Sequence, residues 1–125
     1  MLAHNNCCGV GRDQDWASHD IEHELSAVYD CTHGAGLAVV VPAWMTYNMK
    51  HDVMRFAQLA SRVWGCPMDF VNPERTALQG IEALRNFLKS IGMPSNFAEL
   101  GAKEEDIPHM AHTACYGNGR TGTIG

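Results

Sequence analysis

The chain has 125 residues, of which 46% are hydrophobic and 18% charged, and its formal net charge is −5. This composition predicts one globular domain, and the few, scattered lysines and arginines argue against a nucleic-acid partner. The longest apolar run, residues 36–44, is too short for a membrane span of about 20 residues. The N-terminus lacks a signal-peptide pattern and the five cysteines form no C-x-x-C pair, so we expect free thiols in the cytoplasm.

The helical spacing of apolar residues predicts an all-α, multihelical fold of about five to six helices and no strand. The predicted elements are, in chain order, a helical end at residues 1–8, a helix capped by Asp13 or Asp15, a turn at 30–32, a helix from Thr32 or His33 to Met49, a helix over 51–64, a helix over 73–91, a turn over 96–100, a helix over 103–115 and a loop over 117–125.

Asparagine, proline and glycine mark special positions in this pattern. Asn72 is expected to cap the fourth helix, which Pro73 begins. Pro42 lies inside the second helical pattern and predicts a kink or a break there, because proline has no N–H to donate. Gly34 and Gly36 have no side chains, which would let another group approach the backbone near the start of that helix.

Three histidines, His19, His23 and His33, stand within fifteen residues of sequence. On a helix, His19 and His23 project from one face about 6 Å apart, and a turn could fold His33 back toward them. Neutral imidazole binds zinc, iron, copper and nickel. The spacing therefore favours metal binding or catalysis, and the alternative is a histidine group that binds no metal.

Two short motifs suggest other functions. The run from His19 to His23 fits the H-x-x-E-H pattern of inverted zinc metalloproteases, in which Glu22 would be the base. Five residues match such a pattern easily by chance, and no carboxylate third ligand can be identified. Residues 117–122 fit G-x-G-x-x-G, but they follow a predicted helix rather than a strand, so we do not expect a dinucleotide site there.

Seven further runs extend over nearly the whole chain: DWASH at 15–19, EHELS at 22–26, HGAGLA at 33–38, PAWM at 42–45, RFAQ at 55–58, RVWG at 62–65 and GMP at 92–94. Together they resemble the iron-containing (group III) alcohol dehydrogenases, most closely the butanol dehydrogenase-like branch. The resemblance implies the C-terminal helical part of such an enzyme, with the fold of the iron-containing alcohol dehydrogenase and dehydroquinate synthase-like type.

The resemblance also implies roles for the histidines. In this family an Asp and three His hold one metal, Fe²⁺ or sometimes Zn²⁺, and the last two ligands fall on His19 and His33. A further family histidine falls on His23, for which the resemblance implies a catalytic, proton-relay position near substrate. The metal lowers the pKa of the alcohol, the nicotinamide of NAD(P) takes the hydride, and histidine supplies a proton for the reverse reaction.

The family's nucleotide-binding domain and its first two ligands lie upstream of the matching part. We therefore expect residues 1–125 to be a single, partial helical metal-binding domain that is inactive alone, with Asp15 or His23 able to complete the ligand set. The parent enzyme is expected to be a cytoplasmic homodimer that acts on a small alcohol or aldehyde. The alternative is a truncated, non-enzymatic helical module that binds metal or another protein.

Overall fold

The computed structural model describes residues 7–115. Its α-helices are α1 (Ala17–Tyr29), α2 (His33–Asn48), α3 (Val53–Trp64), α4 (Pro73–Ser90) and α5 (Ile107–Ala114), with 3-10 turns at Met49–His51, Ala98–Leu100 and Glu104–Asp106. No strand occurs in this range, which confirms the predicted all-α class. Most of the predicted helical end at residues 1–8, and the whole G-x-G-x-x-G motif at 117–122, lie outside the described residues.

The α2 helix begins at His33, as predicted, and it continues through Pro42 without a break. Pro42 is buried, and its carbonyl oxygen accepts a hydrogen bond of 2.8 Å from the hydroxyl of Thr46. The ring of a proline removes one backbone hydrogen bond, but packing on both sides of a helix offsets that local cost. Of the kink or break expected at Pro42, the break is therefore wrong.

Two helices, α3 and α5, begin later than predicted, because each is preceded by a 3-10 turn. The α3 helix begins at Val53 because Asp52 caps it, accepting a hydrogen bond of 3.2 Å from the backbone N–H of Arg55. Asn72 occupies the N-cap position of α4, yet its side chain makes no cap bond. Instead, the carboxylate of Asp69 accepts a hydrogen bond of 2.8 Å from the backbone N–H of Asn72.

The α2 helix is the centre of the fold because it contributes to both apolar clusters of the core. One cluster, where α2 meets α3 and α4, contains Met45, Met49, Ala57, Ala77 and Ile81. The other, where α1, α2 and α5 meet, contains Leu25, Val40, Ala102 and Met110. A helix buried on several sides is expected to be apolar all round, as α2 is. The position of α2 relative to α1 is thus fixed by packing over most of its length.

A polar contact joins the end of α1 to the segment before α5. The hydroxyl of Tyr29 donates a hydrogen bond to the carboxylate of Asp106 and accepts one of 3.0 Å from the backbone N–H of Lys103. The bond to Asp106 raises the pKa of Tyr29 above its usual value. None of the described helices combines the length and the apolar character needed to cross a membrane.

Candidate metal centre

The first turn of α1 is set by Asp15 and Trp16. Trp16 occupies the N-cap position, and the carboxylate of Asp15 accepts a hydrogen bond of 2.8 Å from the backbone N–H of Ala17. The predicted cap at Asp13 or Asp15 is therefore wrong by position, since Trp16 is the N-cap residue. Asp15 still stabilises the start of α1, because its negative charge lies at the positive end of the helix dipole. Asp15 precedes α1, however, so helical spacing does not place its carboxylate on the same face as His19, where it could complete the ligand set.

The histidine side chains of α1 and the side chain of Glu22 differ in their exposure to solvent. The side chain of His23 is exposed and that of His19 is half-buried, whereas Glu22 is 0% exposed. Glu22 faces α2, and Ser26 follows it one helical turn later. A carboxylate so completely removed from water needs strong polar partners.

A tight turn between α1 and α2 brings His33 back against α1. Asp30 ends α1 in the left-handed conformation with φ of 50°, and its N–H donates to the carbonyl oxygen of Ser26 at 3.0 Å. The chain then reverses, so that His33 begins α2 beside the first helix. Its ring centroid lies 5.4 Å from that of His19 and 5.4 Å from that of His23. All three predicted site residues therefore meet.

Glu22 binds directly to His33. One carboxylate oxygen is hydrogen-bonded to Nδ1 of His33, and the other accepts a hydrogen bond from the hydroxyl of Ser26. Ser26 also faces the carbonyl oxygen of Cys31 at 3.1 Å, in the turn that leads to α2. An ionised carboxylate only accepts, so this contact favours the neutral tautomer of His33 that carries its proton on Nδ1 and keeps the lone pair on Nε2.

Gly36 makes room for this carboxylate. A Cβ atom built on Gly36 would lie 2.6 Å from Cγ and 2.9 Å from Cδ of Glu22, which is closer than real atoms approach. Gly34 is different, because no atom lies within 4 Å of the equivalent position. Both glycines were expected to let another group approach the backbone. The Glu22 side chain does so at Gly36, and no group does so at Gly34.

The donor set fits a divalent cation bound by imidazole. Glu22, His23 and His33 offer ligand atoms within 4.8 Å of one another, and the ring of His19 lies beside this cluster. The oxygens of Glu22 already bind Ser26 and His33, so the imidazole nitrogens are the donors that remain. Neutral imidazole suits iron and zinc. A complete site needs further ligands, because closed zinc sites have four.

Trp16 borders the histidines on one side. Its ring centroid lies 5.0 Å from that of His19 in an edge-to-face arrangement, and Trp16 is 54% exposed. An exposed indole beside a candidate metal ligand provides an apolar surface for the hydrocarbon part of a small ligand.

The part played by Glu22 is the feature that sequence reasoning missed. The H-x-x-E-H hypothesis made Glu22 a general base, which must face water and substrate. A fully buried carboxylate bound to Ser26 and His33 does neither, so the structure does not support that hypothesis. The signals that could have revealed its role are Ser26 one helical turn later and the bare backbone of Gly36.

Residues 1–123 match the profile described as Fe-containing alcohol dehydrogenase family, C-terminal. The chain is 39% identical to NADH-dependent butanol dehydrogenase A of Clostridium acetobutylicum, a match that covers 99% of this chain and 31% of that protein. It is 37% identical to the NADPH-dependent aldehyde reductase YqhD of Escherichia coli, over 85% of this chain and 27% of that protein. The chain therefore spans less than a third of the length of either relative.

The fold is similar to that of NADH-dependent butanol dehydrogenase A from Thermotoga maritima. The TM-score is 0.85 at 40% sequence identity, and the match covers 92% of this chain and 28% of that one. The substrate- and cofactor-free aldehyde reductase YqhD gives a TM-score of 0.75 at 30% identity, over 91% of this chain and 30% of that one.

The two glycines of α2 give a matched test of the packing between Glu22 and α2. We expect Gly36→Ala to lower the free energy of unfolding by about 1–3 kcal/mol, because the new methyl group overlaps the buried Glu22 side chain. Gly34→Ala should leave it unchanged or raise it by up to about 1 kcal/mol, because alanine favours helix and meets open space. Urea unfolding followed by circular dichroism measures both, and equal stability of the two variants would contradict the described packing.

Proposed function

We propose, because the chain belongs to the iron-containing alcohol dehydrogenase family, that it forms the metal-binding C-terminal part of a metal-dependent, NAD(P)-linked alcohol dehydrogenase. The observation that supports this most directly is the convergence of His19, His23 and His33 beside the buried carboxylate of Glu22. The relatives are named as NADH-dependent butanol dehydrogenases and an NADPH-dependent aldehyde reductase. The proposed substrates are accordingly small alcohols and aldehydes, and residues 1–125 would act as one helical metal-binding unit.

His19 and His33 would hold the metal. They come from different helices, and their ring centroids lie 5.4 Å apart. Fe²⁺ is the ion that the family name indicates, and Zn²⁺ suits the same imidazole donors. When bound, either ion acts as a Lewis acid that polarises the oxygen of an alcohol or aldehyde.

His23 would hold or move the proton. It stands one helical turn after His19, its ring centroid is 5.4 Å from that of His33, and its side chain is exposed. An imidazole exchanges protons near neutral pH, so it suits proton transfer to or from the substrate oxygen. A bound nicotinamide supplies the hydride acceptor. Trp16, exposed beside His19, would contact the alkyl group of the substrate and exclude water from it.

The surface of α3 and α4 supports self-association. Leu59 and Val63, one helical turn apart on α3, are 37% and 60% exposed. Phe87 of α4 is 47% exposed, and its ring centroid lies 5.7 Å from that of Trp64 on α3. Exposed large apolar side chains on two packed helices are typical of an interaction surface. We expect a homodimer of the whole enzyme, and sedimentation that shows only monomer at every concentration would contradict it. All five cysteines are free thiols, which supports a reducing compartment such as the cytoplasm.

Metal binding by the 125-residue chain tests the assignment of ligands. We expect the chain to bind Zn²⁺ or Co²⁺, and either His19→Ala or His33→Ala to weaken binding by at least about tenfold, since even loss of a group that only supports a ligand costs 10–100-fold. Isothermal titration measures the affinities. The control is His112→Ala, an exposed histidine on α5 that should leave affinity unchanged. Undiminished binding in both ligand variants would exclude this site.

Enzyme activity tests the function. We expect the 125-residue chain alone to show no NAD(P)H-linked turnover, because no strand, and so no βαβ nucleotide-binding unit, occurs among residues 7–115. A chimera in which this chain replaces the matching segment of Clostridium acetobutylicum butanol dehydrogenase A should reduce butyraldehyde with NADH. In that chimera His33→Ala should abolish turnover with loss of metal, and His23→Ala should lower kcat while metal content stays near the parent value. Full turnover by both variants would contradict the proposed roles.

A further inference from the structure

We propose that Glu22 is a positioning residue of the metal centre: its buried carboxylate fixes the ring orientation and the tautomer of His33, so that Nε2 of His33 is presented to the metal. The inference rests on the proposed function for the identity of the ligand, His33, but its structural basis is the contact between Glu22 and Nδ1 of that ring.

The burial of Glu22 is hard to explain by stability alone. Its side chain is 0% exposed in the layer between α1 and α2, next to the apolar core residue Leu25. A buried carboxylate must be hydrogen-bonded to offset the loss of its hydration, and it usually stabilises a fold no better than a well-packed apolar side chain of similar volume. An apolar residue at this position would therefore serve the fold as well, and the carboxylate is better explained by what it does to His33.

The two oxygens of Glu22 have separate partners. Ser26, one turn later on α1, donates to one oxygen, while the other oxygen is bound to Nδ1 of His33. Ser26 is itself held near the α1–α2 turn, 3.1 Å from the carbonyl oxygen of Cys31. With one oxygen fixed by Ser26, the carboxylate cannot rotate freely, and the direction of its bond to His33 is fixed as well.

Gly36 confines the carboxylate from the opposite side. The backbone of α2 passes so close to Glu22 that a Cβ atom at Gly36 would lie 2.6 Å from its Cγ. The side chain of Glu22 thus lies between its own helix and the first turn of α2, with His33 at the start of the same α2 turn. This confinement restricts Glu22 to the conformation that reaches His33.

Direct ligation by Glu22 is the competing interpretation, since its oxygens lie within 4.8 Å of candidate ligand atoms of His23 and His33. Its complete burial and its existing bonds to Ser26 and His33 favour the supporting role. A carboxylate that accepts the Nδ1 proton of a ligating histidine leaves Nε2 free for the metal and makes it more basic. The negative charge behind the ring also favours a cation in front of it.

The tautomer of His33 in the metal-free, wild-type chain tests the inference without any variant. Two-bond ¹H–¹⁵N correlation spectra distinguish a neutral imidazole protonated at Nδ1 from one protonated at Nε2. We expect His33 to be protonated at Nδ1 and the exposed His23 to show the Nε2-protonated form that predominates in free imidazole side chains. A His33 ring protonated mainly at Nε2 would overturn the proposal.

Two variants of similar size then measure what the carboxylate does for the metal. We expect Glu22→Gln and Glu22→Met each to weaken Zn²⁺ binding by about 10–100-fold and to reduce the Nδ1 preference of His33, most in Glu22→Met, whose thioether sulfur is only a weak acceptor. Glu24→Gln is the control, because it makes the same chemical change on the same helix without a described contact to the histidines. Affinity within twofold of wild type in both Glu22 variants, with unchanged helix content, would overturn the inference.

The outcomes separate this inference from the proposed function. A wild-type chain that binds no Zn²⁺ yet protonates His33 at Nδ1 would contradict the metal-binding function and support the contact with Glu22. Conversely, His33 could be protonated at Nε2 in the metal-free chain while the chain still binds Zn²⁺ through His33. That result would support the metal-binding function and contradict the role of Glu22. If the Glu22 variants do not fold, Ser26→Ala replaces them, and it should lower both Zn²⁺ affinity and the Nδ1 preference by a smaller factor.

Discussion

The contact between the carboxylate of Glu22 and the imidazole of His33 is the interaction on which the candidate metal centre depends. It joins α1 to the first residue of α2 at the point where the three histidines meet. Because the carboxylate of Glu22 is completely buried, each of its oxygens needs a hydrogen-bond partner. Ser26 provides the second partner, and in the described range no buried side-chain nitrogen or oxygen is left without one.

Helix packing far from the histidines keeps this contact in place. The α2 helix lies in both apolar clusters, so its axis is held by Met45 on one side and Val40 on the other. Gly80 and Ala60 draw α3 and α4 together so closely that a Cβ atom on Gly80 would lie 2.8 Å from the Cα atom of Ala60. Because tightly packed interiors resist small displacements, the start of α2 has little freedom to move away from Glu22.

The number of imidazole ligands limits what this site can bind by itself. Two imidazoles on neighbouring helices, with a third beside them, can bind one cation but do not complete a four-ligand site. The relatives are more than three times as long as the matched segment, and a whole enzyme has room for further ligands and a nucleotide site. The family to which the chain belongs and the geometry of its histidines therefore point to the same function.

Local sequence signals determined the all-α class, most helix bounds and the pairing of His19 with His23, because these depend on the helical repeat and on residues that start or stop helices. Sequence also predicted that His33 would fold back, since a turn precedes it. The tertiary structure alone decided that Pro42 does not break α2, that Trp16 rather than Asp15 occupies the N-cap position of α1, and that Glu22 faces inward against Gly36. Those features depend on how close two helices approach and at what rotation, which spacing along one helix does not encode.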